Sequence, residues 1–543
     1  MMLRFFRLLR AKVTDAPALY VFTCFSALYL LTMGGHLYSS DDEVKALIAE
    51  ALVERQSVTL PAFDMAYMTV GRDGQSYSPF PVGASITMIP FYIAGRFVAD
   101  VFPSFPRPFV VEFCYGLMNP LVTALGCAMF FLLCRQLGYS VRTALVTTFV
   151  YGTCTIVWPY AKTAWSEPQV ASWLLVAVYG VEKFDAGGRL RWLAAAGTVG
   201  GYAVLTRYDA AFYVLGISLL ACYRVAKHPN GLSTSAVVRA GLAYGVPLGV
   251  FAFLVLGYNY IRYESWTAFG HVADRVAEQV GQSAPLLDSL EGIFAGVYQH
   301  LFSTGKGVLL FSPPVLMFYW AVKTFYREHK PLALLCAGVP VLLLVVMGAM
   351  WGMSNVAWGE RYLVPLTPFL VLPLAGLVAG FTDRGSHYMR RSTIGLCAAG
   401  LAVQVLGISI SFQAVLDEQL SRGERPDLQL RSYDPEYSPV LLHFKAVLKR
   451  IPDTWEALRD GPEAFVRKRM ETGDGAADAS ASKSYRNVIR FHTFDFWFCY
   501  LYFVRVPWWM TAALCFLLVG AMLFSRRALL RLMQKDTVPV STP

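Results

Sequence analysis

The sequence predicts an all-α membrane protein with about twelve spanning helices, together with further helices that lie in the membrane plane. Of its 543 residues, 56% are hydrophobic and 15% are charged, whereas soluble domains carry about 25% charged residues. The apolar residues cluster into segments of roughly 18 to 25 residues, the length that crosses the hydrocarbon core of a bilayer. Because backbone donors and acceptors must be satisfied inside a bilayer, these segments are expected to be helices.

The predicted spans follow these apolar segments and place both chain termini on the cytoplasmic side. They are 17–35, 111–134, 142–160, 167–184, 191–206, 209–224, 238–258, 308–323, 331–350, 362–381, 392–412 and 503–525.

The sidedness of this topology depends on segment 83–102, which is apolar enough to span but contains Pro90 and Arg96. If it crossed the membrane, most basic loops would lie outside, against the preference of Lys and Arg for the cytoplasmic side. We therefore predict that it lies along the outer membrane surface as a juxtamembrane helix. Basic residues in cytoplasmic loops also explain the net charge of +10, so this charge does not indicate a nucleic-acid partner.

Four segments then face outward, at 36–110, 259–306, 351–361 and 413–500. We divide the chain into a membrane module at 1–412, an outward segment at 413–500 and a final helix with a basic tail at 501–543. The run GDGAADASASKS at 473–484 predicts that part of the outward segment is mobile. The ten cysteines lie in or beside apolar segments, and no group of His, Cys and acidic residues has metal-ligand spacing, so no metal is predicted.

Three acids, Asp41, Asp42 and Glu43, follow the first predicted span and lead into an amphipathic helix, EVKALIAEALVER at 43–55. Two interpretations are open. In one, Ser40 or Asp41 caps the helix and the acids favour its dipole. In the other, a carboxylate faces a polar cavity, because acids held beside lipid are costly. A carboxylate in such a cavity is well placed to act as a general base toward an acceptor hydroxyl.

Three outward cations form a second group of candidates. Arg207 lies in a short turn, Arg361 at the outer start of a helix, and Lys306 between two glycines whose spacing does not match a P-loop. Cations in such positions also snorkel to the membrane surface without a function. The alternative is that they converge on a lipid-linked phosphate, since a guanidinium offers paired donors that match phosphate geometry.

Glu167, Tyr362 and His271 are the candidates for orienting an acceptor. Glu167 follows Ser166 at the outer start of a predicted span, where helix capping explains it equally well. Tyr362 adjoins Arg361, and His271 lies in the outward loop after the seventh span.

Seven stretches together resemble the GT-C superfamily of polyprenyl-phosphate-sugar-dependent glycosyltransferases, in particular the bacterial relatives of protein O-mannosyltransferases and of the lipid A aminoarabinose transferase. They are DEVKALIAEAL at 42–52, GRDGQSYSPFPVGASITMIPFY at 71–92, TAWSEP at 163–168, LTRYDA at 205–210, YNYIRYES at 258–265, KGVLLFSPP at 306–314 and WGERYLVPLTPF at 358–369.

The resemblance implies a GT-C fold and the inverting transfer of a sugar from a polyprenyl-phosphate donor, without a cofactor. The acceptor would be a lipid, glycan or protein, and the site would face the periplasm from a bacterial inner membrane. The family's catalytic aspartate falls on Asp42, with Asp41 as the rival and Glu43 beside them. The donor phosphate is assigned to Arg361, Arg207 and Lys306, because this chain has Ser78-Pro79-Phe80-Pro81 where many relatives carry a lysine.

Two other classes of protein stay open at this point. A transporter or flippase of lipid-linked glycans predicts charged residues near the middle of the membrane. A non-catalytic assembly factor would tolerate the loss of Asp42. The predicted topology favours the enzyme, because Asp42, Glu167, Arg207 and Arg361 all map to one outer face.

Overall fold

A computed structural model describes residues 16–60, 69–71, 73–229, 231–269, 290–350, 357–382, 387–421, 434–471, 492–503 and 506–536. His271 and the run at 473–484 lie outside these residues. The described chain is mostly helical, which confirms the predicted all-α class.

In the first part of the chain, a helix follows the first apolar helix, and a small three-stranded sheet then precedes the next helix. Strand β3 pairs antiparallel with both β1 and β2, so that Thr59 and Thr69 each lie opposite Tyr77. The elements are α1 (Ala16–Thr32), α2 (Ser40–Glu54), β1 (Thr59–Leu60), β2 (Thr69–Val70), β3 (Ser76–Tyr77), α3 (Gly83–Val101), α4 (Arg107–Gly116) and α5 (Met118–Gln136).

The rest of the chain is built from helices of very different length. They are α6 (Val141–Thr153), α7 (Val157–Ala161), α8 (Ser166–Gly187), α9 (Leu190–Thr206), α10 (Ala210–Ala226), α11 (Thr234–Tyr263), α12 (Leu290–Phe302), α13 (Val308–Phe311), α14 (Phe318–Glu328), α15 (Lys330–Met350), α16 (Thr367–Val371), α17 (Leu374–Ala379), α18 (His387–Ser409), α19 (Phe412–Ser421), α20 (Pro439–Asp460), α21 (Pro462–Glu471), α22 (Trp497–Phe503) and α23 (Trp508–Asp536).

Six helical stretches among the described residues are long and apolar enough to cross a membrane, and this makes the chain a membrane protein. Helix α3 is one of them, and the expectation that it lies in the membrane plane stays a prediction. Two shorter apolar helices are Pro17–Thr32 and Ala210–Ala226. The six stretches are Gly83–Val101, Arg107–Gln136, Thr234–Tyr263, Lys330–Gly348, His387–Ser409 and Trp508–Gln534.

Three of the predicted spans are interrupted instead of continuous. Segment 142–160 divides into α6 and α7, and segment 308–323 contains α13, a 3-10 turn at Pro313–Met317 and the start of α14. Segment 362–381 divides in the same way around Pro365, Pro368 and Pro373. Proline lacks the N–H that a helix interior needs, so hydropathy alone overestimated the continuity of the two proline-rich segments.

The core lies where α1, α5, α6 and α8 pack together, with α9 packed between α8 and α11. The Tyr29 hydroxyl donates to the Gly152 carbonyl at 2.8 Å, and the rings of Phe130 and Tyr151 stack at 4.7 Å. At Gly180 a Cβ atom would lie 2.8 Å from the Trp192 carbonyl oxygen, so only glycine permits this close approach of α8 and α9. This core fixes the N-terminus of α8 and the turn after α9, which both contribute to the site.

Candidate active site

The three acids occupy the first turn of α2, where they complement the positive end of the helix dipole. The N-cap is Ser39 and its side chain makes no capping hydrogen bond, so the expectation that Ser40 or Asp41 caps the helix was wrong. Asp42 is completely buried, Asp41 is partly buried and Glu43 is exposed. The dipole therefore accounts for the residue type but not for the burial of Asp42.

Burial strongly perturbs the Asp42 carboxyl. It raises the Asp42 pKa to about 7, against the opposing effects of the Lys45 ammonium and the Tyr38 N–H, while Asp41 and Glu167 add to the rise. The Lys45 nitrogen lies 3.5 Å from Asp42 Oδ1, and the Tyr38 N–H donates to Oδ2 over 3.4 Å. Lys45 itself is buried, although lysines of amphipathic helices are usually exposed. Asp42 is thus a carboxyl group that titrates near neutral pH.

Glu167 lies between Arg207 and Arg361, the two arginines that the sequence suggested as phosphate ligands. Its Oε1 is 2.6 Å from Arg207 Nη1 and 3.6 Å from Arg361 Nε, and its side chain is only 2% exposed. Arg207 also donates from Nε and Nη2 to the two oxygens of Asp209, at 2.9 and 2.8 Å. Arg361 Nη1 is 3.1 Å from Asp41 Oδ2. Glu167 therefore joins the turn after α9 to the start of α2 through both guanidinium groups.

Aromatic rings support the two guanidinium groups. The Tyr362 ring lies 5.2 Å from the Arg207 guanidinium carbon and 5.0 Å from that of Arg361, and its hydroxyl accepts from Arg361 Nη2 at 3.2 Å. Trp165 lies 4.8 Å from the Arg361 guanidinium and donates from its indole N–H to Ser39 Oγ at 2.7 Å. These contacts orient Arg361 toward the start of α2.

Lys306 belongs to a neighbouring buried group with Glu360 and His300. Lys306 is 5% exposed, and its ammonium has no hydrogen-bond partner among the residues that the structure describes. Burial lowers the Lys306 pKa to about 8, with Glu360 opposing this effect and Arg361 adding to it. Glu360 Oε2 lies 3.4 Å from His300 Nδ1, and its other oxygen accepts the N–H of Tyr362 at 3.4 Å. Although burial acts in the other direction, His300 and Lys306 keep the Glu360 pKa below its ordinary value.

The site is close to charge balance. Its four cations are Lys45, Arg207, Lys306 and Arg361, and the four acids beside them are Asp41, Glu167, Asp209 and Glu360. Asp42 therefore decides whether the group is neutral or carries one negative charge. Within the described residues, no three His, Cys, Asp or Glu side chains are arranged to hold a metal ion.

Two of the loops predicted to face outward, 36–110 and 259–306, meet through Arg262, a residue for which the sequence predicted no role. Its guanidinium is fully buried and donates to the Ser78 carbonyl and to the Tyr208 hydroxyl, both at 2.7 Å. Segment 78–81 is also reached by Lys45, whose nitrogen lies 5.3 Å from the centre of the Phe80 ring. Lys45 therefore places a cation beside the segment in which the expected lysine is missing.

Asp495 is a second residue that sequence reasoning missed. It lies in the aromatic run Phe494-Asp495-Phe496-Trp497 and is fully buried, 2.7 Å from the Lys162 nitrogen and 2.8 Å from His36 Nε2. A carboxylate inside an apolar run was the available signal, because such a group is costly to bury without partners.

Neither a protein-family model nor a curated protein sequence matches this chain. Among solved structures, the chain is similar to ArnT from Cupriavidus metallidurans bound to undecaprenyl phosphate, with 15% identity and a TM-score of 0.46 over 93% of this chain and 76% of that chain. The same protein in the apo state gives 12% identity and a TM-score of 0.39, over 91% and 75% of the two chains. The Archaeoglobus fulgidus oligosaccharyltransferase in the apo form gives 12% identity and a TM-score of 0.39, over 79% and 60%.

Proposed function

We propose that this protein is a membrane glycosyltransferase that moves a sugar from a polyprenyl-phosphate donor to a lipid, glycan or protein acceptor, with inversion at the anomeric carbon. The observation that carries the proposal is the buried Asp42 carboxyl with a pKa of about 7, beside the Arg207–Glu167–Arg361 array. A base that titrates near the working pH is the type that enzymes use for proton abstraction. In the proposed topology this site faces the periplasm from a bacterial inner membrane.

In the proposed step, the Asp42 carboxylate accepts the proton of an acceptor hydroxyl while the hydroxyl oxygen attacks the anomeric carbon. The bond between that carbon and the phosphate oxygen breaks, and its electron pair leaves with the polyprenyl phosphate. Asp41 is less suited to the role of base, because its carboxylate already accepts from Arg361 at 3.1 Å. We assign to Asp41 the task of holding Arg361, and none to the exposed Glu43.

Arg361 and Lys306 are the best candidates for the leaving phosphate. Among the described residues, Arg361 Nε and Lys306 Nζ are buried nitrogens without a hydrogen-bond partner, and we propose that each donates to a phosphate oxygen. Arg207 already donates to Asp209 and Glu167, which makes it an anchor for Glu167 in this proposal. Donors fixed in this way stabilise the charge that develops on the leaving group without reorganising during the reaction.

Glu167 and Tyr362 are proposed to shape the acceptor side through the orientation of the two arginines. The proposal requires no metal or cofactor, because the carboxylate, guanidinium and ammonium groups supply both the base and the charge stabilisation.

The test is transfer by the purified protein, reconstituted in liposomes with polyprenyl-phosphate sugars. Asp42→Asn keeps the shape of the side chain and removes the base, so we expect transfer to fall about a hundredfold or more. The matched control is Glu50→Gln, which changes an exposed acid on the same helix. Full transfer by Asp42→Asn would reject the base. Movement of labelled lipid across the bilayer without transfer would support the transporter instead.

A further inference from the structure

The segment that leads from α1 into α2 is held by one buried carboxylate from the far end of the chain. Asp495 accepts the Tyr38 hydroxyl at 2.7 Å, lies 2.8 Å from the His36 ring nitrogen and accepts the Tyr500 hydroxyl at 2.9 Å. Lys162 lies 2.7 Å away on the other side. Although burial alone would raise it, Lys162 and His36 keep the Asp495 pKa well below its ordinary value. Asp495 is therefore a fixed anion.

The backbone around Asp495 is also tied to the elements that flank the site. Its N–H donates to the Ser409 carbonyl and the Trp497 N–H donates to the Met33 carbonyl, both at 2.9 Å. Lys162 donates to the Asp495 carbonyl at 2.9 Å. Asp495 is therefore held at its main chain as well as at its side chain.

The chain has little freedom where it passes Asp495. Gly35 has a φ of +74°, and a Cβ atom there would lie 2.9 Å from both Phe113 and Trp497. Only glycine adopts this conformation at so close an approach without strain. The path of the backbone from residue 33 to residue 38 is consequently constrained by its contacts with Phe113 and with segment 495–497.

Tyr38 connects this anchor to the candidate base. Its side chain binds Asp495, its ring stacks on Phe412 with the centroids 6.1 Å apart, and its N–H donates to Asp42 Oδ2 at 3.4 Å. One residue further, the Ser39 carbonyl accepts the N–H of Asp42 at 3.0 Å. The position of the Asp42 carboxyl thus depends on Tyr38, and that of Tyr38 on Asp495.

We propose that Asp495 is a positioning residue for the reaction: it fixes Tyr38, and through the Tyr38 main chain it holds the Asp42 carboxyl in the orientation from which it accepts a proton. The inference rests on the proposed role of Asp42 as base. In this proposal, the C-terminal segment beyond α21 supplies no reacting group, but its residue Asp495 positions the base.

The titration of Asp42 offers a readout that does not depend on turnover. The charged groups that influence Asp42 are Lys45 and Asp41 on its own helix and Glu167 on α8, and the Tyr38 N–H is the neutral donor. The N–H favours the ionised carboxyl, so its displacement raises the Asp42 pKa. A hydrophobic carbodiimide reacts with protonated carboxyl groups, and mass spectrometry of the Asp42 peptide across a pH series therefore reports this pKa.

The experiment compares Tyr38→Phe, Asp495→Asn and the double variant in the full-length protein. Tyr38→Phe keeps the ring and removes only the hydroxyl on Asp495. We expect each single variant to raise the midpoint of Asp42 labelling by about half a unit or more and to lower kcat roughly tenfold. Both substitutions act on the same contact, which Tyr38→Phe removes and Asp495→Asn weakens, so the double variant should lose no more than the more strongly affected single variant.

Tyr500→Phe is the matched control, because it removes another hydroxyl from the same carboxylate but leaves Tyr38 in contact with Asp495. It should leave the labelling midpoint and kcat close to the wild-type values. Unchanged midpoints in Tyr38→Phe and Asp495→Asn overturn the proposal, as do losses of kcat that multiply in the double variant. If Asp42→Asn is fully active, the base assignment fails separately, while the labelling midpoints still decide whether Asp495 positions Asp42.

Discussion

Lys45 is the cation nearest to Asp42, and its replacement gives the sharpest test of how the site is tuned. The two side chains lie one helical turn apart on α2, with 3.5 Å between Lys45 Nζ and Asp42 Oδ1, and both are buried. Lys45→Met removes the charge and keeps most of the apolar stem, so the packing against Phe80 is largely preserved. We expect the variant to fold and to need a higher pH for activity.

The magnitude follows from the distance between the charges. An opposite charge within about 4 Å lowers a carboxyl pKa by about one to three units, so its removal moves the Asp42 pKa from about 7 to about 8 or above. A base works only when it is deprotonated. At pH 7 about half of the wild-type Asp42 is ionised, against about a tenth or less in the variant, and transfer at that pH should fall about fivefold or more.

The assay is the initial rate of sugar transfer in liposomes between pH 6 and pH 9.5, with saturating donor. For the wild type the rate should rise with pH through a midpoint near 7. For Lys45→Met the midpoint should move upward and the rate should recover at alkaline pH. Lys45→Arg keeps the charge and should retain the wild-type midpoint. A Lys45→Met profile that coincides with the wild type, or a loss that persists at pH 9.5, would refute the electrostatic reasoning.

Three further predictions follow from the same charges. Because the folded pKa of Asp42, about 7, lies above its unfolded value of 3.8, the wild type loses stability as the pH rises between these values. Asp42→Asn should therefore have the higher Tm at pH 8, with the difference shrinking toward pH 4 in thermal unfolding measurements. Arg361→Lys loses the planar fork between Asp41 and Glu167, and its kcat/KM for the donor should fall about tenfold or more in steady-state kinetics. A polyprenyl phosphate without sugar should bind more weakly at pH 8 than at pH 6, and this pH dependence should be smaller in Asp42→Asn, which controls for titration of the phosphate itself.

Much of the fold could be predicted because hydropathy and helix length are strongly linked in a membrane. The apolar runs at 191–206 and 331–350 correspond to α9 and α15 within a residue or two. The breaks in the helices around Pro313 and Pro365 could not be predicted from hydropathy. A proline interrupts the backbone hydrogen bonds of a helix, but it changes the average hydropathy of the segment very little. The sequence identified the membrane class better than it identified the continuity of individual helices.

Residues of the candidate site could be predicted where a charged side chain occurs at an unusual position in the sequence. Arg207, Arg361 and Glu167 stand out because charged residues are unusual at the outer ends of predicted spans, and the structure brings all three together. Lys45 and Asp495 did not stand out in the same way. Lys45 fits the polar side of an amphipathic helix, and the partners of Asp495, such as His36 and Lys162, are hundreds of residues away in the sequence. Only the tertiary packing reveals that these charges are buried together.

In the proposed reaction, the charge balance of the site connects donor binding to the protonation of Asp42. Arg361 is held between Asp41 and Glu167, so a phosphate that binds it adds negative charge to a group that is neutral only while Asp42 is protonated. The anionic donor and the protonated Asp42 therefore favour each other, and the same donor opposes the ionisation on which proton abstraction depends. Lys306, whose ammonium has no hydrogen-bond partner among the described residues, and the N–H of Tyr38 oppose this effect, because Lys306 lies near Arg361, where it attracts the phosphate, and the N–H stabilises the Asp42 carboxylate. A site of this kind requires rigid support around Asp42, since a small loss of either contact would leave the base protonated when the donor is bound.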